Sequence, residues 1–444
     1  MKKVLMADLQ FSSAISKKNI SRLFYVGIIL SSILACAKTE NDNENSSNHT
    51  HLASTANLVN ISPVGDVVGK IVVGYQGWFS CFGDGSPVNN WRHWRNNTPP
   101  SPGNQSFELW PNVNEFAQTF QTGYANLGNG QPSKLYSSYQ NNVVDKHLQW
   151  MQQYGIDCAA VQRFGSELGD AAMKATRDGI AVKVKNAAQT FGRKFYMMYD
   201  ISGWANFQAE IKSDWINTIT GSLNLTSSGA YARQNGKPVV CIWGVGVSGR
   251  PGNATSWTEV IDWFKSKGCY VIVGTKRDWR TDSSNLSAVI SADMISPWTV
   301  GSYKTDADID NYANIMSNDK ILCDQNGKDY QPVVFPGFAW SNWKTAPQNE
   351  IPRRHGDFLW RQFYQIRSKS IPNAYVAMFD EYDEATAIAK SAENVSQIPS
   401  NQYFLTLDAD GVACSSDFYL RLTGDGAKMV KGQIAISATH PTAH

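Results

Sequence analysis

The stretch 256–275, SWTEVIDWFKSKGCYVIVGT, joins a helix pattern to a strand pattern through one glycine. Apolar residues at i, i+3, i+4 and i+7 indicate the buried face of a helix, and they are Trp257, Val260, Ile261 and Phe264. Ser256 and Glu259 have the spacing of a capping box at its start. Gly268 suits its left-handed end, and 270–275 is a continuous apolar run typical of a strand buried on both faces. The stretch therefore predicts a helix followed by a strand of a parallel sheet.

Apolar runs of the same kind recur along the chain, with helix-patterned or polar segments between them. The eight runs are 71–79, 158–164, 195–200, 239–243, 270–275, 294–298, 333–340 and 375–379. Gly155 and Gly192 stand before two of them as Gly268 does. Eight strand–helix units predict an α/β chain folded as a single (β/α)8 TIM-type barrel with elaborated βα loops. An open doubly wound sheet is the alternative, and the lack of a GxGxxG motif after the first run counts against it.

The amino-terminal segment has the pattern of a bacterial export signal. Residues 1–22 are basic, and 23–35 is an uncharged apolar run too short to span a bilayer. Its end, ILAC at 33–36, is similar to a lipobox, in which the cysteine is acylated after cleavage; a plain secretory signal cleaved elsewhere is the alternative. The sequence predicts an outer-membrane lipoprotein on the periplasmic or cell-surface face. Its segments are a lipoprotein signal 1–35, a lipidated Cys36 with a disordered polar tether 36–60, a barrel 61–425 and a C-terminal tail 426–444.

Charge and composition exclude several classes of protein. The 444 residues contain 40 Lys and Arg against 38 Asp and Glu, and loss of residues 1–35 would change the net charge from +2 to −2. No basic surface for nucleic acid is therefore expected. The cysteines form no CxxC pair, and four of the seven histidines lie in the tether or the tail. Neither a disulfide framework nor a metal site nor a cofactor is predicted, and a monomer is expected.

Aromatic and hydrogen-bonding residues gather at the ends of the predicted strands, and fifteen tryptophans are the unusual feature of the composition. Active sites of (β/α)8 barrels lie at the carboxyl ends of the strands. A sugar ring has an apolar C–H face and a rim of hydroxyls, so indoles beside polar groups suit a glycan. Any single tryptophan is more simply explained as core. The strand-end candidates for substrate binding are Tyr75, Trp78, Gln162, Arg163, Tyr199, Asp200, Trp243, Trp298 and Trp340.

The eighth run leads into four carboxylates in five positions, Asp380, Glu381, Asp383 and Glu384. Side chains three positions apart on a helical turn lie about 5–6 Å apart, so Glu381 and Glu384 can address one bond. Crowded carboxylates raise each other's pKa, which lets one act as an acid while its neighbour stays ionised. Two carboxyls from one turn reach a sugar from one side, which does not suit a double displacement with a carboxylate nucleophile. A solvated acidic loop is the alternative interpretation.

Three short stretches, EYDEAT at 381–386, GYQGWF at 74–79 and WRHW at 91–94, are similar to motifs of glycoside hydrolase family 99 and of the related family 71/99-like bacterial lipoproteins. Residues 381–386, EYDEAT, resemble the Glu-x-x-Glu-Gly-Thr motif that follows strand eight in this family. Residues 74–79, GYQGWF, and 91–94, WRHW, resemble its aromatic first-strand region. The resemblance spans residues 61–422. Trp, His and Gly are usual where this chain has Tyr382, Asp383 and Ala385.

The resemblance implies a metal-free, retaining, endo-acting glycoside hydrolase that cleaves α-mannan or a related α-linked polysaccharide through a 1,2-anhydro sugar. Glu381 would take the proton of the substrate's 2-hydroxyl, and Glu384 would be the general acid/base. His93 and Trp94 would join the sugar contacts. The departures from the family motif bear on mannose specificity more than on acid chemistry, because both glutamates remain. A non-catalytic surface glycan-binding protein of a polysaccharide-utilisation system is the alternative.

Overall fold

Eight parallel strands form the centre of the molecule in a computed structural model that describes residues 62–444. The strands are β1 (Ile71–Tyr75), β2 (Cys158–Phe164), β3 (Lys194–Asp200), β4 (Lys237–Val245), β5 (Tyr270–Lys276), β6 (Met294–Trp298), β7 (Val333–Val334) and β8 (Ala374–Val376). Nearly all their residues are buried, because helices cover the outside of the ring while side chains fill its interior. The continuous apolar runs of the sequence therefore predicted every one of these strands.

The ring closes through the segment 329–334, whose two halves pair with different neighbours. The hydrogen-bonded order runs from Asp329–Tyr330 through β6, β5, β4, β3, β2, β1 and β8 to β7, and every pairing along it is parallel. Asp329–Tyr330 pairs with β6, whereas β7 pairs with β8. Gln331 continues the first half by donating its amide to the Ile295 carbonyl at 2.9 Å. The predicted α/β class and (β/α)8 TIM-type barrel are confirmed.

Helices follow the strands around the ring. They are α1 (Asn141–Gln153), α2 (Ala171–Thr190), α3 (Phe207–Asp214), α4 (Ala254–Ser266), α5 (Leu286–Ser291), α6 (Asp306–Gln325), α7 (Asp357–Ser368) and α8 (Phe418–Val430). A π-helical segment, Trp215–Ser222, extends α3, and five 3-10 turns are Gly165–Glu167, Leu225–Ser227, Trp279–Thr281, Arg354–Gly356 and Val395–Gln397. Short antiparallel strands are also present among residues 62–444: Phe120–Gln121 pairs with Lys134–Leu135, and Arg233–Gln234 pairs with β4. The long loop between β1 and α1 carries the first of these pairings.

Several element boundaries differ from the sequence prediction. Helix α4 begins three residues early, because Asn253 caps it and forms the capping box with Ser256 instead of Ser256 with Glu259. Strand β1 ends at Tyr75 rather than at residue 79, since Gly77 adopts a left-handed φ of +56°. Strand β7 ends at Val334 rather than at residue 340. The predicted left-handed glycines are confirmed, with φ of +73° at position 155, +61° at 192 and +77° at 268.

The predicted signal, the predicted tether and the predicted lipidation site Cys36 lie outside the described residues. Within residues 62–444, no helix is both long enough and apolar enough to cross a membrane. The six cysteines of this part of the chain are buried thiols. After α8 the chain returns to the barrel, where Trp360 donates to the Ser437 carbonyl at 3.0 Å and Thr442 to Asp425 at 2.8 Å.

Candidate active site

An acidic turn, residues 380–385, follows β8 at the carboxyl end of the barrel. The chain continues beside β1 after β8, because the Phe379 amide donates to the Gly74 carbonyl at 2.8 Å. Asp380 then accepts the amides of Gln76 and Gly77, at 2.7 and 2.9 Å. These two bonds use the amides freed where β1 stops, and they fix the acidic turn to the end of β1. The turn therefore lies at the carboxyl end of the barrel, where (β/α)8-barrel enzymes have their active sites.

Glu381 and Asp383 are both buried in this turn and are held by direct contacts. One oxygen of Glu381 accepts from Gln76 Nε2 at 2.7 Å, and the other accepts from the Asp383 amide at 3.0 Å. Asp383 Oδ2 lies 3.1 Å from His93 Nδ1. Glu384 is half-buried. The turn thus presents Glu384 as the more accessible carboxyl beside a fixed Glu381.

Burial raises the pKa of all four carboxyls. The pKa of Glu384 rises to about 7, mainly because of burial, while the charge of Lys344 opposes the rise. Burial raises the pKa of Asp380 to about 6, against its hydrogen bonds from two backbone amides. The pKa values of Glu381 and Asp383 are also raised, first by burial and then by the neighbouring carboxylates. Near neutral pH the turn therefore holds both protonated and ionised carboxyls, which are the two forms that acid–base catalysis needs.

His93 connects the acidic turn to a stack of aromatic rings. Its ring stacks on Trp78 with centroids 3.7 Å apart, and Trp78 stacks on Phe164 at 5.2 Å. Burial lowers the pKa of His93 well below its usual value, and the charges of Arg177 and Arg92 lower it further. The contact between His93 and Asp383 is close enough for an ion pair. The pKa of His93 is lowered and that of Asp383 is raised, and both shifts weaken the charged forms, so they favour a hydrogen bond over an ion pair.

Four predicted sugar contacts belong to the core instead. They are 0% exposed, and they are Tyr75, Trp94, Arg163 and Tyr199. Arg163 Nε and Tyr199 OH both donate to Asp214, at 2.6 and 2.7 Å, and Trp94 donates to the Tyr136 carbonyl at 2.8 Å. Side chains alternate along a strand, so when Gln162 and Asp200 point into the barrel their neighbours Arg163 and Tyr199 point toward the helices. The structure corrects these four assignments.

The other strand-end candidates lie around the barrel mouth. Trp243 and Trp298 meet edge to face with centroids 5.5 Å apart, and both are half-buried. Gln162 donates to Tyr375 OH at 3.2 Å inside the barrel. Burial raises the pKa of Asp200, which is half-buried at the end of β3. Trp243, Trp298 and Asp200 thus form an aromatic and polar surface at the mouth, whereas Gln162 is buried inside the barrel.

Arg250 was not predicted from the sequence, although it lies at this surface. Its Cζ is 4.9 Å from the centroid of the Trp243 ring, and its charge acts on Asp200. The lack of a side chain at Gly274 makes room for Trp243, since a Cβ there would lie 2.3 Å from the Trp243 ring. Arg250 comes from the loop after β4, where no periodic pattern marks a residue that turns back to the mouth.

The loop after β7 carries Trp340 to the acidic turn. The Ala339 amide donates to the Glu384 carbonyl at 3.0 Å. Trp340 is half-buried, and Trp343 lies edge to face with it, with centroids 6.0 Å apart. Lys344 Nζ lies 4.6 Å from the centroid of the Trp343 ring. The loop thus brings an aromatic pair and a cation next to Glu384.

Within residues 62–444, no three His, Cys, Asp or Glu side chains are arranged so that they could hold a metal ion. The candidate site therefore consists of carboxyls, one imidazole, indoles and a few cations. Carboxyls in a turn beside indoles can bind a sugar ring and exchange protons with its hydroxyl and glycosidic oxygens.

No protein-family model matches the sequence, and no curated protein matches it either. Among solved structures, the fold is similar to that of the GH99 endo-α-mannosidase from Bacteroides thetaiotaomicron, with a TM-score of 0.60 at 14% identity over 82% of this chain and 98% of that chain. A structure of that enzyme with bis-tris-propane gives 0.59 at 13% identity, covering 83% and 98%. A glycoside hydrolase-like protein gives 0.50 at 14% identity, covering 78% and 97%. The chain therefore shares the fold of the solved family 99 endo-α-mannosidases.

Proposed function

We propose that the protein is a retaining, endo-acting glycoside hydrolase that cleaves α-mannan or a related α-linked polysaccharide. The observation that carries the proposal is the pair of carboxyls on the acidic turn. Glu381 and Glu384 lie three positions apart on one turn at the carboxyl end of β8, and burial raises the pKa of both. The fold shared with family 99 enzymes supports the same reading.

Neighbouring carboxyls on one side of a sugar suit a mechanism in which the substrate supplies its own nucleophile. In the first step the 2-hydroxyl oxygen attacks the anomeric carbon, and the bond to the leaving oxygen breaks. Glu381 takes the proton of the 2-hydroxyl, and Glu384 gives a proton to the leaving oxygen. In the second step water attacks the anomeric carbon of the 1,2-anhydro sugar. Glu384 takes a proton from that water, and Glu381 returns its proton to the 2-oxygen. Two inversions at the anomeric carbon give net retention.

The proposal includes a place for the protein in the cell. A lipid on Cys36 would anchor a monomeric barrel to the outer membrane, on the periplasmic or cell-surface face, through the polar tether 36–60. The barrel mouth would then meet polysaccharide outside the cytoplasm. A surface glycan-binding protein without catalysis is the second candidate, favoured by the half-buried indoles at the mouth. Retention of Glu381 and Glu384 together favours the enzyme.

Hydrolysis of a polysaccharide panel by the purified protein tests the proposal. The panel contains α-mannans and an α-1,3-glucan, and a Cys36→Ala variant avoids the need for detergent. We expect release of oligosaccharides from an α-linked member of the panel, with the new reducing end in the α configuration when followed by NMR. Binding without release of oligosaccharide by the wild-type protein would favour the glycan-binding protein instead.

A further inference from the structure

Ala385 closes the acidic turn in a backbone conformation that alanine disfavours. Its φ is +52°, in the left-handed region, and its side chain is 0% exposed. The Cβ of an L-residue crowds the following carbonyl there, so such residues occur where surrounding contacts hold them. The conformation at Ala385 sets the direction in which the chain leaves Glu384. It also directs the chain back, so that the amides of Thr386 and Ala387 donate hydrogen bonds to the Glu381 carbonyl, at 3.1 and 2.8 Å.

Arg353 donates hydrogen bonds to the backbone of this same segment. Its Nη2 donates to the carbonyls of Ala385 and Ala387, at 2.8 and 2.7 Å. One nitrogen therefore links the last residue of the acidic turn to a residue two positions later. The side chain is 6% exposed, and its Cζ lies 4.4 Å from the centroid of the Tyr419 ring. A Cβ at Gly337 would lie 2.6 Å from Arg353 Cγ, so the glycine leaves the space through which Arg353 passes.

Arg353 has no carboxylate within ion-pair distance among residues 62–444. A buried guanidinium is costly unless its donors are used. The side-chain hydrogen bonds of Arg353 go from Nη2 to the carbonyls of Ala385 and Ala387, while its Nε and Nη1 are buried without a partner among the described residues. Burial lowers the pKa of Arg353, as expected for an unpaired buried cation. The contacts therefore assign the guanidinium to the backbone of this segment rather than to an ion pair.

We propose that Arg353 is a positioning residue that holds Ala385 in its left-handed conformation and thereby sets the placement of Glu384 relative to Glu381. This inference rests on the proposed function for its catalytic consequence, but not for the coupling between Arg353 and Ala385. A glycine at position 385 adopts the left-handed conformation unaided. The need for Arg353 is therefore smaller when residue 385 is glycine.

A double-substitution cycle with Arg353→Lys and Ala385→Gly tests this coupling. Lysine keeps the charge, but its side chain is one atom shorter and lacks the planar guanidinium whose Nη2 donates to both carbonyls. We expect Arg353→Lys to lower kcat about tenfold with KM changed less than about threefold, because it misplaces an acid without removing a sugar contact. Ala385→Gly restores most of the loss in that background, so its effect on kcat is larger there than in the wild type. The matched control is Arg361→Lys on α7, whose partner is Asp310, and it shows no coupling to Ala385→Gly.

The melting temperature supplies a readout that needs no substrate. Ala385→Gly is expected to raise Tm by about 2 °C more in the Arg353→Lys background than in the wild type. Equal effects of Ala385→Gly in both backgrounds would overturn the inference. If Arg353→Lys does not fold alone, the inference requires that the double variant folds, and failure of both overturns it. If no protein in the cycle cleaves a glycan, the proposed function fails, while the Tm cycle still decides the role of Arg353.

Discussion

Glu384→Gln separates acid catalysis from the remaining functions of the site. Glutamine keeps the shape of Glu384 but has no proton to give to a leaving oxygen. With a pKa of about 7 for Glu384, the protonated fraction falls from about 0.9 at pH 6 to about 0.1 at pH 8. Wild-type kcat on a natural glycan is therefore expected to fall about tenfold over that range. The variant is expected to lose about 10²- to 10⁴-fold in kcat, the usual contribution of a general acid.

A leaving group that needs no proton supplies the control. Fluoride departs from a glycosyl fluoride without protonation, so kcat/KM, which reports the cleavage step alone, is expected to fall less than about tenfold on this substrate in Glu384→Gln, against about 10²- to 10⁴-fold on the glycan. Both substrates are compared from pH 5 to 9 by release of reducing sugar and of fluoride. Equal losses on the two substrates would refute the acid role of Glu384, and so would wild-type activity of the variant on the glycan.

The same substitution has a calculable effect on stability. The folded-state pKa of about 7 exceeds the ordinary value of 4.5, so the folded state holds more protons between these pH values. The contribution of Glu384 to stability is complete below pH 4.5 and is lost as pH rises through 7. A shift of about 2.5 units corresponds to about 3 kcal/mol. In urea denaturation, Glu384→Gln should gain about this much relative to wild type between pH 4.5 and 8. A difference that does not change with pH would show that the pKa of the half-buried Glu384 is not raised in the folded state.

Three other substitutions test separate parts of the site. Lys344→Met should move the basic limb of the kcat/KM profile to higher pH, because the lysine charge opposes the raised pKa of Glu384; a profile shifted to lower pH contradicts this. Arg163→Met should destabilise the protein by about 3–5 kcal/mol in urea denaturation, since it leaves the buried Asp214 carboxylate without its cation. Trp298→Ala should raise KM for the glycan about tenfold with little change in the urea midpoint, because the indole is half-buried at the mouth. An unchanged KM would remove Trp298 from the binding surface.

The barrel could be predicted from the sequence because continuous apolar runs report burial on both faces of a strand. The orientation of the side chains at the strand ends was the weaker prediction. Gln162 and Arg163 both lie near the end of the run 158–164, yet only Gln162 faces the barrel interior. Successive side chains of a strand point to opposite faces, so the orientation of one residue in the strand would have predicted which of the two faces the interior. The position of a strand end shows where the barrel mouth lies, whereas the alternating direction of the side chains decides which residues face it.

The acidic turn could be predicted because its four carboxylates are adjacent in sequence. Its supports come from distant loops, and local spacing contains no signal for them. Arg353 precedes the turn by about thirty residues and reaches it only because the loop between β7 and α7 folds back. Lys344 comes from the same loop as Arg353, and Arg250 comes from the loop after β4. Loop conformation depends on tertiary contacts rather than on periodicity, so these residues required a structure.

The divided seventh strand makes the wall of the barrel uneven. Pro332 has no amide hydrogen, and each half of 329–334 pairs with one neighbour alone. Local opening requires the least free energy where the fewest ladder bonds hold the backbone. Amide hydrogen exchange in the barrel wall is therefore expected to begin in the segment 329–334, while the amides of β2–β5 stay protected. Strand β8 lies between β7 and β1. The acidic turn that follows β8 is therefore bordered by a stable strand, β1, on one side and by the more easily opened segment 329–334 on the other.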